Sequence, residues 1–326
     1  MTDAVVVATW GTPVNGFPVD AEEVLTLAAK AAKGLGRPLH WLSLGDPGAG
    51  AGQVASRFGV ASLDRIDDAK LASFSADAHV EALAQYARAE APAAIFLAQS
   101  FDARLVAPRL AGRLNGAVVG NAVDAEIADG KLSITASAYG GDTRVVYQFQ
   151  GSGLCVVTVS ANAVSLGAPA AAGAAPAART IPVDLSAVTE RVKVVHKPQV
   201  LGKRLEEAQI IVSGGRGLGK KENYHHVEEL AAALGGMAGA SRPIVDDGWV
   251  DSSHQVGLTG RITRPALYIA AGISGASQHM AGCSAAKTIA AINTDKDAAI
   301  FRYARYGLVG DCVAILSELT KAAKGA

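Results

Sequence analysis

Short apolar runs alternate with alanine-rich amphipathic segments through the first hundred residues. Val5–Ala8 is an unbroken apolar run of strand length, and Ala21–Leu35 carries apolar residues at helical spacing until Gly36 stops it. Leu39–Leu44 predicts a second strand, Val54–Phe58 a short helix, His79–Arg88 a helix, Ala93–Ala98 a strand and Leu105–Leu114 another helix. An order of strand, helix, strand, helix predicts a parallel sheet. From Ala117 the pattern changes. Val118–Val119, Leu132–Ala138, Thr143–Gln150 and Cys155–Ser160 read as β-rich segments separated by glycine turns, expected to extend the sheet as antiparallel edge strands.

A low-complexity stretch, GAPAAAGAAPAA at 167–178, interrupts the pattern. Its composition cannot fill a core, so it reads as a loop. A strand is expected at Val192–Val195, and Lys203–Ala208 leads into a second α/β unit. This unit begins with the strand Gln209–Ser213, the glycine-rich turn Gly214–Gly219 and the helix Asn223–Leu234. A short strand near Gly239–Ser241, a loop through Trp249–Gly260 and the strand Ala266–Ala270 follow. A second turn, Gly272–Gly275, leads to a helix at Gln278–Cys283, strands at Thr288–Ile292 and Gly307–Val309 and a last helix at Val313–Lys324. The order is that of a doubly wound domain, a fold that binds ligands at the carboxyl ends of its strands. The expected division is an N-terminal α/β domain at 1–195 and a doubly wound parallel-sheet domain at 204–326.

Composition narrows the functional classes. Half of the 326 residues are apolar, enough for full cores. Thirty basic and thirty acidic residues cancel, which gives no electrostatic reason to expect nucleic acid or an anionic membrane as partner. No apolar run is long enough to span a bilayer, and the first residues lack the pattern of a secretory or organelle signal, so the expected compartment is the cytoplasm without membrane insertion. Cys155, Cys283 and Cys312 lie far apart with no CxxC pair, against a disulfide framework or a cysteine zinc site. His225 and His226 are adjacent, positions that face different ways on a helix, and read as solvated or capping residues.

The candidate chemistry lies in the second unit. The run Gly214–Lys220 meets the start of a P-loop pattern, but Lys221 stands where a magnesium-binding Ser or Thr is needed, and Lys220 stands where the dinucleotide fingerprint needs its third glycine. What survives is a glycine-rich strand-to-helix turn that a ligand can approach closely, with Arg216 available to a phosphate or carboxylate. In Leu267–His279 an apolar strand ends in small residues and a helix begins. Its first N–H groups and the hydroxyls of Ser274 and Ser277 suit a diphosphate, although a ligand-free packed turn fits the spacing equally well. The loops holding Ser241, Arg242, Gln255 and Thr259 are rich in hydrogen-bonding groups. Asn293 and Asp311 end strands, where an Asn or Asp serves either a ribose or adenine or simply a turn.

Taken together, SGGRGLG from Ser213, ASRP from Ala240, DDGW from Asp246, QVGLTG from Gln255, GISGASQHMAG from Gly272, AINTD from Ala291 and GLVGD from Gly307 resemble the alpha subunit of electron transfer flavoprotein. The resemblance spans most of residues 209–320 in unbroken order, and the N-terminal half matches in layout only. It implies that the C-terminal domain binds one FAD and that a beta subunit, carrying AMP or a second FAD, completes a heterodimer. It further implies an electron carrier, not an enzyme with its own small-molecule substrate. Electrons would pass from flavoprotein dehydrogenases of the acyl-CoA dehydrogenase type in fatty acid β-oxidation to a membrane quinone oxidoreductase. An electron-bifurcating, NADH-linked relative and a stand-alone flavin oxidoreductase are the alternatives.

Carried onto this chain, the resemblance puts Arg216 in the FAD cleft and Ser241 at the diphosphate or ribityl chain. It puts Arg242 beside the isoalloxazine, where its charge favours a reduced, anionic ring. Thr259 matches the hydroxyl that bonds flavin N5. Gln255 and its neighbours Val256, Gly257 and Leu258 match the isoalloxazine contacts. Gly272, Ser274, Gly275, Ser277 and Gln278 match the diphosphate turn, His279 the histidine near flavin O2, and Asn293 and Asp311 the AMP end. Positive groups and donors around the ring would stabilise added negative charge. Two positions depart from the pattern. Leu258 stands where the family reads Gln, and Ser277 replaces a commoner apolar residue. A swivelling hinge at Val195–Lys203 is also implied.

Overall fold

A computed structural model of the chain describes residues 3–11, 21–138, 143–151, 153–160, 164, 173, 175–192 and 204–325. The chain divides into two compact units. One contains Met1–Ala138 and Thr143–Lys197, and the other contains Pro198–Ala326.

In the first unit the elements run β1 (Val5–Trp10), α1 (Ala21–Leu35), β2 (Leu39–Leu44), α2 (Ala51–Arg57), β3 (Ser62–Ile66), α3 (Ala76–Glu90), β4 (Ala94–Ala98), α4 (Phe101–Arg113), β5 (Ala117–Ala128), β6 (Lys131–Ala138), β7 (Thr143–Gln148), β8 (Cys155–Val159) and β9 (Ala177–Thr180). They form one sheet in the order β7-β6-β5-β8-β4-β1-β2-β3-β9. Strand β1 is apolar except for Thr9 because both of its faces are covered. Val5 and Val7 pack with Val24, Leu25 and Ala28 of α1, while Ala4, Val6 and Ala8 pack with Leu83 of α3 and Val106 of α4.

Two expectations for this unit change. Strand β8 is not an edge strand: it lies between β4 and β5 and is parallel to both, leaving only β6 and β7 antiparallel. The alanine-rich stretch also does not run as a loop through residue 178, since β9 starts at Ala177 and pairs parallel with β3. Its anchor is Arg179, which donates from Nε and a terminal nitrogen to the two carboxylate oxygens of the fully buried Asp64 at 2.8 and 2.6 Å. Tyr86 and Ser62 donate their hydroxyls to the same carboxylate, at 2.9 and 2.5 Å. These donors satisfy a charge that burial alone would make costly. The strand expected at Val192–Val195 and the hinge expected at Val195–Lys203 fall outside the described residues, apart from Val192, which is not in a strand.

The second unit contains β10 (Ile210–Gly214), α5 (His225–Ala233), β11 (Met237–Ala240), α6 (Arg242–Asp246), β12 (Leu267–Ala271), α7 (Ser277–Met280), β13 (Thr288–Asn293), β14 (Tyr306–Val309) and α8 (Cys312–Gly325). All five strands are parallel, in the order β11-β10-β12-β13-β14. One face of the sheet packs Val212, Ile269 and Ile292 against Leu230 of α5 and Leu316 of α8. The other packs Ile211, Tyr268 and Ile289 against Met280 and Cys283. The helix expected at Asn223–Leu234 opens instead with a 3-10 turn, Lys221–Tyr224. The helix expected at Gln278–Cys283 is a single α-turn, and α6 was not foreseen.

Candidate functional site

The chain leaves β10 and goes first to β11 on one side of it, then to β12 on the other. The carboxyl end of β10 is therefore a topological switch point, where the loops diverge and leave a cleft. The turn after β10 carries Arg216, that after β11 carries Ser241 and Arg242, and that after β12 carries Gly272–His279. Asn293 ends β13, and Asp311 follows β14. Every expected site residue thus belongs to this edge or, for Gln255–Thr259, to the loop before β12.

The glycines of the two turns serve the protein before any ligand. Gly215 donates to Ala271 O at 2.9 Å and Gly217 donates to Gly272 O at 3.0 Å. A Cβ on Gly215 would meet Gly272 O at 2.4 Å, and one on Gly217 would meet Gly272 Cα at 2.5 Å. These three glycines let two backbones close on each other, so the close approach read from the sequence is filled by chain. Gly275, at φ +85°, backs onto Ile300, whose N–H donates to Ser274 O at 2.9 Å.

The loop Gln255–Thr259 is fastened at both ends. Val256 donates to Ala240 O at 2.9 Å, and Leu258 N donates to Gln278 O at 2.7 Å. Gln255, buried, donates its amide to Thr259 Oγ1 at 3.0 Å. The structure thus brings Gly257 and Leu258 onto Gln278 and His279. Leu258 is 43% exposed, and Thr259, Ser274 and Gln278 are also exposed.

His279 is buried at the end of this arrangement. Its Nε2 lies 2.9 Å from the hydroxyl of Tyr268, a residue with no exposed surface. Its Nδ1 is buried and has no partner at hydrogen-bond geometry. Burial pushes the ring down to about 4, and the Val256 backbone offsets only part of this. The imidazole is therefore neutral at pH 7 and presents a dipole, not a full positive charge. Burial also raises the Tyr268 phenol well above its ordinary value, so its hydroxyl keeps its proton.

The two arginines are placed differently from each other. Arg216, exposed, forks onto Asp247 through Nε and a terminal nitrogen at 3.0 and 3.1 Å, a pair that a phosphate would have to compete with. Arg242 pairs with Asp246 one turn along α6 at 3.1 Å, with both side chains exposed. Such a pair contributes about 0.3–0.5 kcal/mol and leaves the guanidinium free to turn to another partner. Ser241 is buried at the start of α6, and its N–H donates to Gly214 O at 2.9 Å.

The remaining residues also have partners within the fold. Asn293 donates from Nδ2 to Ile273 O at 3.0 Å and accepts from Asp295 N at 2.9 Å. Asp311 accepts from Val313 N at 2.8 Å, capping α8. Helix α7 is too short for a macrodipole, so what this turn can offer an anion is single N–H groups and the hydroxyls of Ser274 and Ser277. Sequence reasoning passed over Tyr268 and Asp247. The first had a signal, since a tyrosine inside a buried parallel strand needs a partner for its hydroxyl.

Residues 18–186 match the electron transfer flavoprotein domain, and residues 204–284 match the electron transfer flavoprotein FAD-binding domain. Electron transfer flavoprotein subunit alpha of Mycobacterium leprae is 38% identical over 309 residues, covering 90% of this chain and 92% of that one. The subunit alpha of Mycobacterium tuberculosis H37Rv is 39% identical over 305 residues, covering 90% and 91%.

The chain belongs to the electron transfer flavoprotein alpha subunit family.

Protein FixB of Clostridium saccharobutylicum, 34% identical over 308 residues and covering 93% of this chain and 91% of its own, is a further relative. The matched FAD-binding domain contains Arg216 through His279. Within that stretch Nδ1 of His279 is buried without a partner at hydrogen-bond geometry, and Ser274 and Thr259 are exposed. Among the described residues no helix is long and apolar enough to cross a membrane.

Proposed function

We propose that this chain is the FAD-bearing subunit of a heterodimeric electron carrier. It would receive electrons from flavoprotein dehydrogenases of the acyl-CoA dehydrogenase type and deliver them to a membrane quinone oxidoreductase. The observation that carries the reading is the match of residues 204–284 to the FAD-binding domain, within which the buried Nδ1 of His279 has no partner at full hydrogen-bond geometry.

FAD, when bound, supplies a ring that accepts and returns electrons singly or in pairs. The chain's own residues do the rest. Arg242 brings a mobile positive charge to the edge of the site. Thr259, held by Gln255, presents its hydroxyl for hydrogen bonding. His279, backed by Tyr268, offers a hydrogen bond from a dry position, where it is stronger than in water. Gly272–Gln278 supply backbone N–H groups to a diphosphate. None of these roles moves a proton on a small-molecule substrate, which suits a carrier.

A beta subunit completes the proposed heterodimer: AMP in it belongs to the carrier form, and a second FAD in it to the bifurcating form. Domain division near 195–204 and a hinge there belong to the same proposal. Co-expression with a beta subunit is expected to yield a yellow heterodimer, and expression alone to yield far less flavin. Purification with stoichiometric NAD and no flavin would overturn the reading. Two flavins per heterodimer would replace it with the bifurcating form.

A further inference from the structure

Residues adjacent on a regular helix point about 100° apart. His225 and His226 open α5, directly after the 3-10 turn Lys221–Tyr224. Contrary to the sequence expectation, their ring centroids lie 3.8 Å apart, with planes inclined by 39°. His225 Nδ1 donates to Glu222 O at 2.6 Å. A carbonyl only accepts, so Nδ1 carries the hydrogen and Nε2 of the neutral ring keeps its lone pair. Glu229 lies four residues beyond His225 and three beyond His226, the spacings that bring helical side chains together. One ligand atom from each of the three lies within 4.8 Å of the others.

We propose that His225, His226 and Glu229 form a surface site for a divalent transition-metal ion of the zinc class. Two imidazoles and one carboxylate suit a borderline metal, whereas magnesium and calcium take all-oxygen shells. Bonds of about 2.0–2.2 Å in a tetrahedral shell place ligand atoms roughly 3.3 Å apart. His225 and Glu229 are exposed and His226 half-buried, so small side-chain rotations close the remaining gap. The Glu222 carbonyl fixes the His225 tautomer and ring orientation, the role outer-shell acceptors play around metal-bound histidines. Three protein ligands leave the fourth position to water or a small ligand. None of the three residues belongs to the proposed flavin site, so the inference stands apart from that reading.

The test is a zinc titration by calorimetry on the full chain, metal-stripped and purified without an affinity tag. Wild type is expected to bind a single equivalent, with affinity falling at least about tenfold in His226→Ala and in Glu229→Gln. Cobalt(II) is expected to give the visible absorption of a four-coordinate site in wild type and to lose it in both variants. Unchanged thermal midpoints without metal show that the variants fold. Equal zinc affinity in the His226→Ala/Glu229→Gln double variant, or no saturable binding by wild type, overturns the proposal.

Discussion

The hydroxyl of Tyr268, the second residue of the buried strand β12, meets Nε2 of His279 at 2.9 Å. The phenol never ionises near neutral pH, so it always has a proton to donate. Donated to Nε2, that proton leaves the imidazole hydrogen on Nδ1 and makes Nδ1 a donor towards the carboxyl edge. Tyr268→Phe keeps the ring and removes the hydroxyl. It is expected to cost about 1–2 kcal/mol of unfolding free energy and to weaken FAD binding without abolishing it. A double-mutant cycle with His279→Gln, read by flavin affinity, is expected to give a coupling of at least about 0.5 kcal/mol. Strict additivity would mean that the tyrosine only packs.

The depressed pKa of His279 makes stability depend on pH. The unfolded ring takes a proton near 6.5 and the folded ring near 4, so the unfolded state binds more protons between these values. Stability is full above pH 6.5 and falls as pH drops towards 4. Linkage gives a loss of about 2 kcal/mol by pH 5 and about 3 kcal/mol by pH 4. His40 and His79 are also lowered by burial and add losses of the same sign. The measurement is therefore the difference between wild type and His279→Gln in urea midpoint across this range. A constant difference would show that the ring titrates normally.

Much of this was legible in the sequence, and the failures share a cause. The parallel strands β1, β2, β4 and β12 announce themselves as apolar runs because both faces are buried. Strand β3 does not, because it spends an inward position on Asp64, whose partner Arg179 is 115 residues away. The same remote contact turns an alanine-rich stretch into β9. At the proposed site, motif spacing singled out Ser274, Gln278 and His279. It could not reveal that Gly215 and Gly217 close on Gly272, that Asp247 holds Arg216, or that Asp311 caps a helix. Those are pairings between loops, and only the sheet order brings them together.

The glycine packing gives a graded test. Gly217→Ala drives a methyl into the backbone of Gly272, where no side chain can move aside. It is expected to destabilise the second unit by about 3 kcal/mol and to remove bound flavin. Gly219→Ala meets open space and suffers only from φ +83°, a cost of about 1 kcal/mol. Thermal midpoints and flavin content of the two variants check the order. Equal effects would mean that the turns can separate freely.

The buried carboxylate of the first unit predicts an asymmetry. Asp64 is held below the usual carboxylate range by Arg179, Ser62 and Tyr86, against the upward push of burial. Asp64→Asn leaves Arg179 without its main partner and is expected to cost about 3–5 kcal/mol. Arg179→Lys keeps the charge but loses the fork, and should cost less. Chemical denaturation of both variants, followed by a signal from the buried Trp41, reads the difference. If the arginine variant proves the more damaging, β9 is anchored by something other than this carboxylate.

Leu258 is one of the two positions that the resemblance marks as departing from the family's pattern, and its place in the structure says what the departure can affect. The side chain is 43% exposed, and its backbone is held independently by the bond from Leu258 N to Gln278 O. Leu258→Gln is therefore expected to change stability by no more than about 0.5 kcal/mol. A restored amide would add a polar group beside Thr259 and Gln278, near the proposed ring. Its donor end would favour negative charge there, so the flavin midpoint potential is expected to rise. A redox titration of the heterodimer, wild type against Leu258→Gln, measures this directly. A higher potential with unchanged FAD content would assign the tuning role to residue 258. An unchanged potential would place that residue outside the reach of the flavin ring.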